Sequence, residues 1–423
     1  MLTDISTEMI ASTLPVFMFS VLNLSPLQVG FIDGLYQGAA AIVRVAAGYI
    51  ADAKQSNRIV AFLGYFLSFI ARIGFLFASM GGMLVVLIGL LADRIGKGIR
   101  SAPRDALIAG HTAPEGRAAA FGVHRTMDAV GAFVGPLIAA GVLWWKPLGF
   151  EILFIASLIF SALGLIAFWW RVPEAPRETA RNDDGAVTNE SLTAEPALAH
   201  EPVPQIFTPI HQTTIKGSVA TLLQAKPFMQ LMVLAVILSI FTISDGLIYV
   251  SLQRTLGADE QMVPLMFVAT AFVFLLTALP VGRLADRIGC VPVLLGGYGV
   301  LTLAYLWFAF GMGGLNTATL SVGSYFQIAG LVCLLGVHYA ATDGVLAALA
   351  VSYLPAHVRT TGLAALTTAI GLTRIGSSTL FGWTWQNYSQ TNAATLFAAG
   401  MLICFVAIVT MTRFGLLQER RAS

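Results

Sequence analysis

Leu90-Leu-Ala-Asp-Arg-Ile-Gly-Lys-Gly-Ile-Arg-Ser-Ala-Pro-Arg-Asp-Ala-Leu-Ile-Ala109 is the stretch whose reading decides the fold. It continues the apolar run Met83 to Leu91 without a break, so it reads as the inner part of one membrane helix. At about 100° per residue, Asp93, Lys97, Arg100 and Arg104 fall on one narrow face, and Arg94, Ser101 and Asp105 form a strip beside it. A charge at the bilayer centre costs at least ~2.5–3.5 kcal/mol. A chain tolerates such a face only against a protein interior or a water-filled cavity. A soluble amphipathic helix would show the same pattern, but the surrounding sequence excludes it.

Of the 423 residues, 57% are hydrophobic and only 11% charged, against about 25% charged in an average soluble domain. The class is a polytopic membrane protein. The formal net charge of +2 gives no footprint for nucleic acid, and no such partner is expected. Cys290, Cys333 and Cys404 lie far apart in or beside apolar segments, with neither metal spacing nor a disulfide framework. No metal and no cofactor is expected. Met1 is followed at once by Leu-Thr-Asp4-Ile-Ser-Thr-Glu8-Met, with no basic leader. Almost no chain precedes the first acid of an apolar helix, so either the natural start lies upstream or the first helix is short.

Apolar segments fall at roughly 1–23, 29–51, 59–80, 83–109, 117–143 and 150–170, and again at roughly 226–253, 262–285, 291–312, 325–353, 360–384 and 392–413. Each is near or above the ~20 residues a spanning helix needs. The expected fold is therefore all-α, with twelve membrane helices in two bundles of six: residues 1–171 and 226–413, a linker over 172–225 and a tail over 414–423. The linker carries Pro173, Pro176, Pro196, Pro202, Pro204 and Pro209 among polar residues and cannot build a core. Lys and Arg gather on one side, among them Lys54, Arg58, Arg117, Arg171, Lys226, Arg283, Arg359 and Arg413, while the other side's loops offer Lys146 and Arg254. This asymmetry predicts that both termini are cytoplasmic. The expected location is a bacterial plasma membrane, with the chain a monomer in the lipid bilayer.

The two sets repeat. Gly48-Tyr-Ile-Ala-Asp52 follows the second segment, and Gly282-Arg-Leu-Ala-Asp286-Arg287-Ile-Gly289 follows the eighth. Pro114-Glu-Gly-Arg117 leads into the fifth, and Pro355-Ala-His-Val-Arg359 into the eleventh. Such duplication marks transporters, with the solute site between the halves near the midplane. The Gly282 to Gly289 loop resembles the signature of the major facilitator superfamily. Arg94 with Gly98 resembles its Arg-x-x-x-Gly in helix four, and Gly131-Ala-Phe-Val-Gly135-Pro136 its Gly-x-x-x-Gly-Pro in helix five. The resemblance covers both sets of six and implies two bundles rocking around a central site. It also implies that Asp286 braces the start of helix five near Ala118 to Phe121, and Asp52 the start of helix eleven, when the cytoplasmic side is closed. A carboxylate at a helix N-terminus meets free N–H groups and a positive dipole, which gives this bracing a physical basis. In the first copy Ala53 replaces the basic residue and Gln55 the glycine, which removes any charge pairing there. In this family the helix-five motif goes with exporters that exchange solute for protons; close helix packing is its plainer reading.

Buried acids are the proton candidates, since burial brings protonation of a carboxyl toward working pH. They are Asp4 and Glu8, a turn apart in helix one, Asp33 in helix two, Asp245 in the middle of helix seven and Asp343 in helix ten. Each acid could equally hold a fixed ion pair. Arg44, Arg72, Arg94, Lys97, Arg125, Arg374 and His338 are the solute or charge-pair candidates. Arg94 and Lys97 are expected to face Asp4 and Glu8, with Glu8 the mobile proton site and Asp4 the ion-pair partner. A surplus of cations in the first half hints at an anionic or zwitterionic solute. The expected function is secondary transport of a small solute, proton-coupled, with export by antiport favoured over uptake by symport. A receptor or scaffold that binds without transporting is the competing class. A membrane enzyme is disfavoured because no nucleophile–base set, zinc motif or phosphate loop is visible.

Overall fold

A computed structural model describes residues 1–39, 57–112, 117–173, 221–310, 322–355 and 358–413. Nearly all of them are helical, as a chain in lipid requires, because only a helix satisfies its own backbone polar groups there. The first set comprises α1 (Leu2–Ser20), α2 (26–39), α3 (Asn57–Phe75), α4 (Ala78–Gly110), α5 (Arg117–Trp145) and α6 (Phe150–Arg171). The second comprises α7a (Lys226–Ile240), α7b (Asp245–Leu256), α8 (Met262–Ile288), α9 (Cys290–Phe310), α10 (Val322–Ser352), α11 (Arg359–Asn387) and α12 (Gln390–Arg413). Among the described residues, 9 spans are by themselves long and apolar enough to cross a membrane, α7a and α7b counting together as one.

The packing of the first set recurs in the second with an offset of six helices. α3 lies along α4, α5 against α1, and α6 against α1 and α3. Likewise α9 lies along α10, α11 against α7a, and α12 against α7a and α9. The duplication read from the loops is thus also a duplication of contacts. Glycines set the closest of them: a Cβ on Gly64 would lie 2.7 Å from the Gly96 carbonyl oxygen, and one on Gly96 2.6 Å from that of Gly64. Small residues at such crossings let backbones approach where no hydrophobic force drives helices together. Large apolar side chains such as Leu84, Leu275, Leu276 and Ile403 point outward, more than half exposed, as a lipid-facing surface requires.

Two expectations need adjusting. α4 begins with a turn at Ala78, and Gly82 at φ +60° separates it from the helix that runs on from Met83. The seventh span is two helices, parted at Phe241 to Ser244. Within the linker, residues 221–224 form a helical turn. Its residues 174–220 and the tail 414–423 lie outside the described residues.

Candidate solute and proton site

The break in α7 borders the first half, where a Cβ on Gly246 would lie 2.8 Å from Pro15 of α1. Ser244 is an extended N-cap, φ −74° and ψ 148°, and its hydroxyl accepts from the Leu247 N–H of α7b. Asp245 follows in the first turn, where a carboxylate suits the helix dipole. Three other helices meet the break, two of them satisfying its opened backbone and the third its carboxylate. Ile243 N–H donates to the Tyr305 hydroxyl of α9 at 2.8 Å. The Ser377 hydroxyl of α11 donates to the Thr242 carbonyl at 2.7 Å. The Tyr339 hydroxyl of α10 donates to Asp245 Oδ1 at 2.6 Å. Irregular backbone at membrane depth persists only where protein or a cavity meets it in this way. Tyr305→Phe should leave a buried N–H without a partner and cost about 1–3 kcal/mol. That would appear as a lower melting temperature in detergent; an unchanged one would show that the hydroxyl is dispensable.

A cavity of about 240 Å³ opens beside the break, lined from the first half by Glu8, Asp33, Tyr36 and Gln37 and from the second by Asp245, Tyr339 and Arg374. A second cavity of about 290 Å³ shares Gln37 and Arg374 and runs along α10 and α11, past Asp343 and Leu363, toward the end at which α11 begins. At the far end the halves are sealed. Cβ atoms on Gly30 and Gly34 of α2 would strike the backbone of Ser378 and Ile375 of α11 at 2.3 and 2.8 Å. Within this seal Asp33, 9% exposed, accepts the Ser378 hydroxyl at 2.8 Å, and Arg254 stacks on Phe19.

The cations of the first half are largely committed elsewhere. Arg72 of α3 meets Asp93 Oδ1 at 2.9 Å and Arg94 meets Asp93 Oδ2 at 2.6 Å. Arg72 also donates to Ser6 and Thr7 of α1 at 3.0 and 2.9 Å. Arg94 lies over the Tyr36 ring, 4.1 Å from its centroid, and Arg100 donates to Ser68 at 2.6 Å and faces Tyr65. The acid that holds this cluster is Asp93, on the charged face of α4. The cation surplus inferred from composition is therefore mostly neutralised or tied up before it reaches the cavity.

The other expected site residues are distributed as follows. Glu8 lines the cavity and has no ion pair within 4.0 Å among the described residues. Asp4 pairs at 2.9 Å with the Met1 ammonium, not with Arg94 or Lys97. Among the described residues Lys97 has no ion pair within 4.0 Å. His338 is buried with Nδ1 3.0 Å from the Gly297 carbonyl and lines neither cavity. Arg125 is exposed, beside the His124–Asp128 pair at 3.4 Å. Gly131 and Gly135 seat α5 on α1: a Cβ there would meet Asp4 Cβ at 2.7 Å and the Ile5 carbonyl at 2.8 Å. Pro136, inside α5, is buried. Gly289 at φ +99° ends α8, while Asp286 and Arg287 are exposed, Asp286 forms no hydrogen bond or ion pair among the described residues, and nothing crowds Gly282. Arg44, Gly48 and Asp52 lie outside the described residues. Tyr36, Gln37 and Tyr339 line the cavity although no charge or motif in the sequence marks them. The Ser244-Asp245-Gly246 run, an N-cap pattern within an apolar span, is the signal that could have found the break.

A family model described as Major Facilitator Superfamily matches residues 1–249 and 228–422. An uncharacterised MFS-type transporter of Methanocaldococcus jannaschii is 26% identical over 417 residues, which cover 96% of this chain and 92% of that one. Among solved structures, a mutant of the nucleoside transporter NupG has a TM-score of 0.73 at 15% identity, over 97% of both chains. A D-xylose–proton symporter has a TM-score of 0.70 at 16% identity, over 99% of this chain and 96% of that one. At such identities the likeness to these structures concerns the fold.

Proposed function

Because the chain belongs to the major facilitator superfamily, and is thus a membrane transporter and not an enzyme, we propose that it exchanges a small solute for protons by alternating access at the cavity beside the α7 break. The observation that carries this reading is the composition of that cavity: carboxylates from both halves, Glu8 and Asp33 from one and Asp245 from the other, converge on it. Rocking of the halves changes the surroundings of all three, which is what linking a proton to a conformational change demands. Glu8 is the proton carrier in this scheme, because it lines the cavity with no ion pair within 4.0 Å among the described residues. Asp33 is held in the seal by Ser378. Asp4 and Asp343 are accessory.

With the termini cytoplasmic, as the Lys and Arg asymmetry predicts, the cavity leads to the cytoplasm and the seal faces outward. Antiport is favoured over symport because a positively charged group of the solute and a proton would compete for the same carboxylates. The Gly131 and Gly135 contacts with α1 bear on direction only indirectly, since packing alone accounts for them.

Proteoliposomes loaded with a pH-sensitive dye and offered a library of small amines and amino acids test the reading. Wild-type protein should move protons against solute. Glu8→Gln should abolish that movement while solute counterflow persists. If Glu8→Gln moves protons as the wild type does, Glu8 is not the carrier; if no solute elicits proton movement in the wild type, the coupling itself is wrong.

A further inference from the structure

Resting on the reading of this cavity as the solute site, we propose that its ligand is a small zwitterion of amino-acid dimensions, its ammonium against Glu8 and Asp245 and its anionic group against Arg374. Arg374 lines both cavities. Its Nε is sealed from solvent and has no hydrogen-bond partner, and among the described residues no carboxylate lies within 4.0 Å of its guanidinium. A buried cation left in this condition is costly, and a structural arginine would be expected to carry an ion pair, as Arg72 and Arg94 do. On the other side of the same space, and among the described residues, Glu8 has no ion pair within 4.0 Å and Asp245 is hydrogen-bonded through Oδ1 alone.

The alternatives each leave one side unmatched. A simple anion would satisfy Arg374 but face three carboxylates. A simple cation would satisfy the carboxylates and leave the guanidinium bare. A neutral polar solute would compensate neither side. A molecule carrying both charges satisfies both, and Arg suits a planar carboxylate because its fork can donate two parallel bonds. The apolar part of the wall, Leu14, Met18 and Phe267, leaves room for an aliphatic or thioether side chain. At about 240 Å³ the space lies below the usual 300–1,000 Å³ of ligand pockets, which favours a solute of amino-acid size.

The test is binding to the purified full-length protein in detergent, read by thermal shift and calorimetry near neutral pH. The probes are matched trios: leucine with 3-methylbutylamine and 4-methylpentanoate, methionine with 3-(methylthio)propylamine and 4-(methylthio)butanoate, and alanine with ethylamine and propanoate. In at least one trio the zwitterion should bind tenfold or more tighter than either trimmed partner. Arg374→Gln should remove its advantage over the amine, and Arg374→Lys should keep part of it. An amine or an acid that binds as tightly as its zwitterion overturns the proposal, and so does the failure of every probe to bind folded wild-type protein. The trios test wild-type protein, so the outcome does not hang on the folding of the variants. Zwitterion binding without proton movement in liposomes would leave this assignment intact and sink proton coupling. Proton-coupled flux of a solute lacking the anionic group would do the reverse.

Discussion

Gly30→Ala is expected to hold the far end of the molecule open and arrest transport. A Cβ at Gly30 would lie 2.3 Å from the Ser378 carbonyl oxygen and 3.1 Å from the Gly382 Cα. Both are backbone atoms and cannot swing aside as a flexible side chain would. Gly382 is in the same position, 2.3 Å from the Pro26 carbonyl oxygen. Overpacking of this kind costs about 1–3 kcal/mol. Here the cost falls on the sealed state alone, because α2 and α11 separate when the far end opens. The ratio of open to sealed molecules should rise roughly 5- to 150-fold. A cysteine placed at Leu27, in a protein lacking Cys290, Cys333 and Cys404, reports this through its reaction with an impermeant maleimide. Labelling should rise at least fivefold on adding Gly30→Ala, and counterflow should collapse. Gly122→Ala is the control, since nothing lies within 4 Å of a Cβ there. Equal labelling with and without Gly30→Ala would mean that the glycine contact does not form the seal.

Asp93→Asn is expected to be among the most destabilising single substitutions in the first half. Asp93 is 4% exposed, and it is the carboxylate shared by Arg72, 2% exposed, and Arg94, 5% exposed. Removing its charge strands two buried guanidinium groups. Breaking a buried pair in this way costs about 3–5 kcal/mol, even where the intact pair adds little over an apolar replacement. Folded yield and the midpoint of denaturant unfolding in detergent should both fall sharply. Arg72→Met added to Asp93→Asn should recover part of the loss, since it removes one stranded charge; Arg94 keeps the Tyr36 ring. A shift below about 1 kcal/mol for Asp93→Asn alone would mean that water reaches the cluster and screens it.

The legibility of the molecule divides along physical lines. Membrane spans could be read from sequence because they depend on the solvent: a run of some twenty apolar residues is a property of consecutive residues, whatever packs beside it. The duplication was legible for the same reason, since Gly48 to Asp52 and Gly282 to Gly289 are local patterns. The glycine at 289 is needed because the chain leaves α8 at φ +99°. That the charged face of α4 must be shielded from lipid also followed from periodicity alone, and Asp93, Arg94 and Arg100 are indeed buried.

Which charge meets which did not follow, because partners are set by helices far apart in sequence. Arg94 turns to its neighbour Asp93 and to Tyr36, and Arg72 crosses from α3 to reach Asp93 and α1, so neither faces Asp4. Helical periodicity places a side chain on a face but says nothing of what stands opposite. The break in α7 was hidden for a related reason. Its apolar composition is that of a continuous span, and the unwound backbone at Phe241 to Ser244 is tolerable only because Tyr305 and Ser377 arrive from α9 and α11 to satisfy it. The amino-acid sequence by itself therefore determined the spans, their pairing into two related sets and the need for a charged interior. The tertiary structure alone decided which acids and which arginine are left to line a common cavity, since being unpaired is a property of the whole surrounding shell and not of any residue in it.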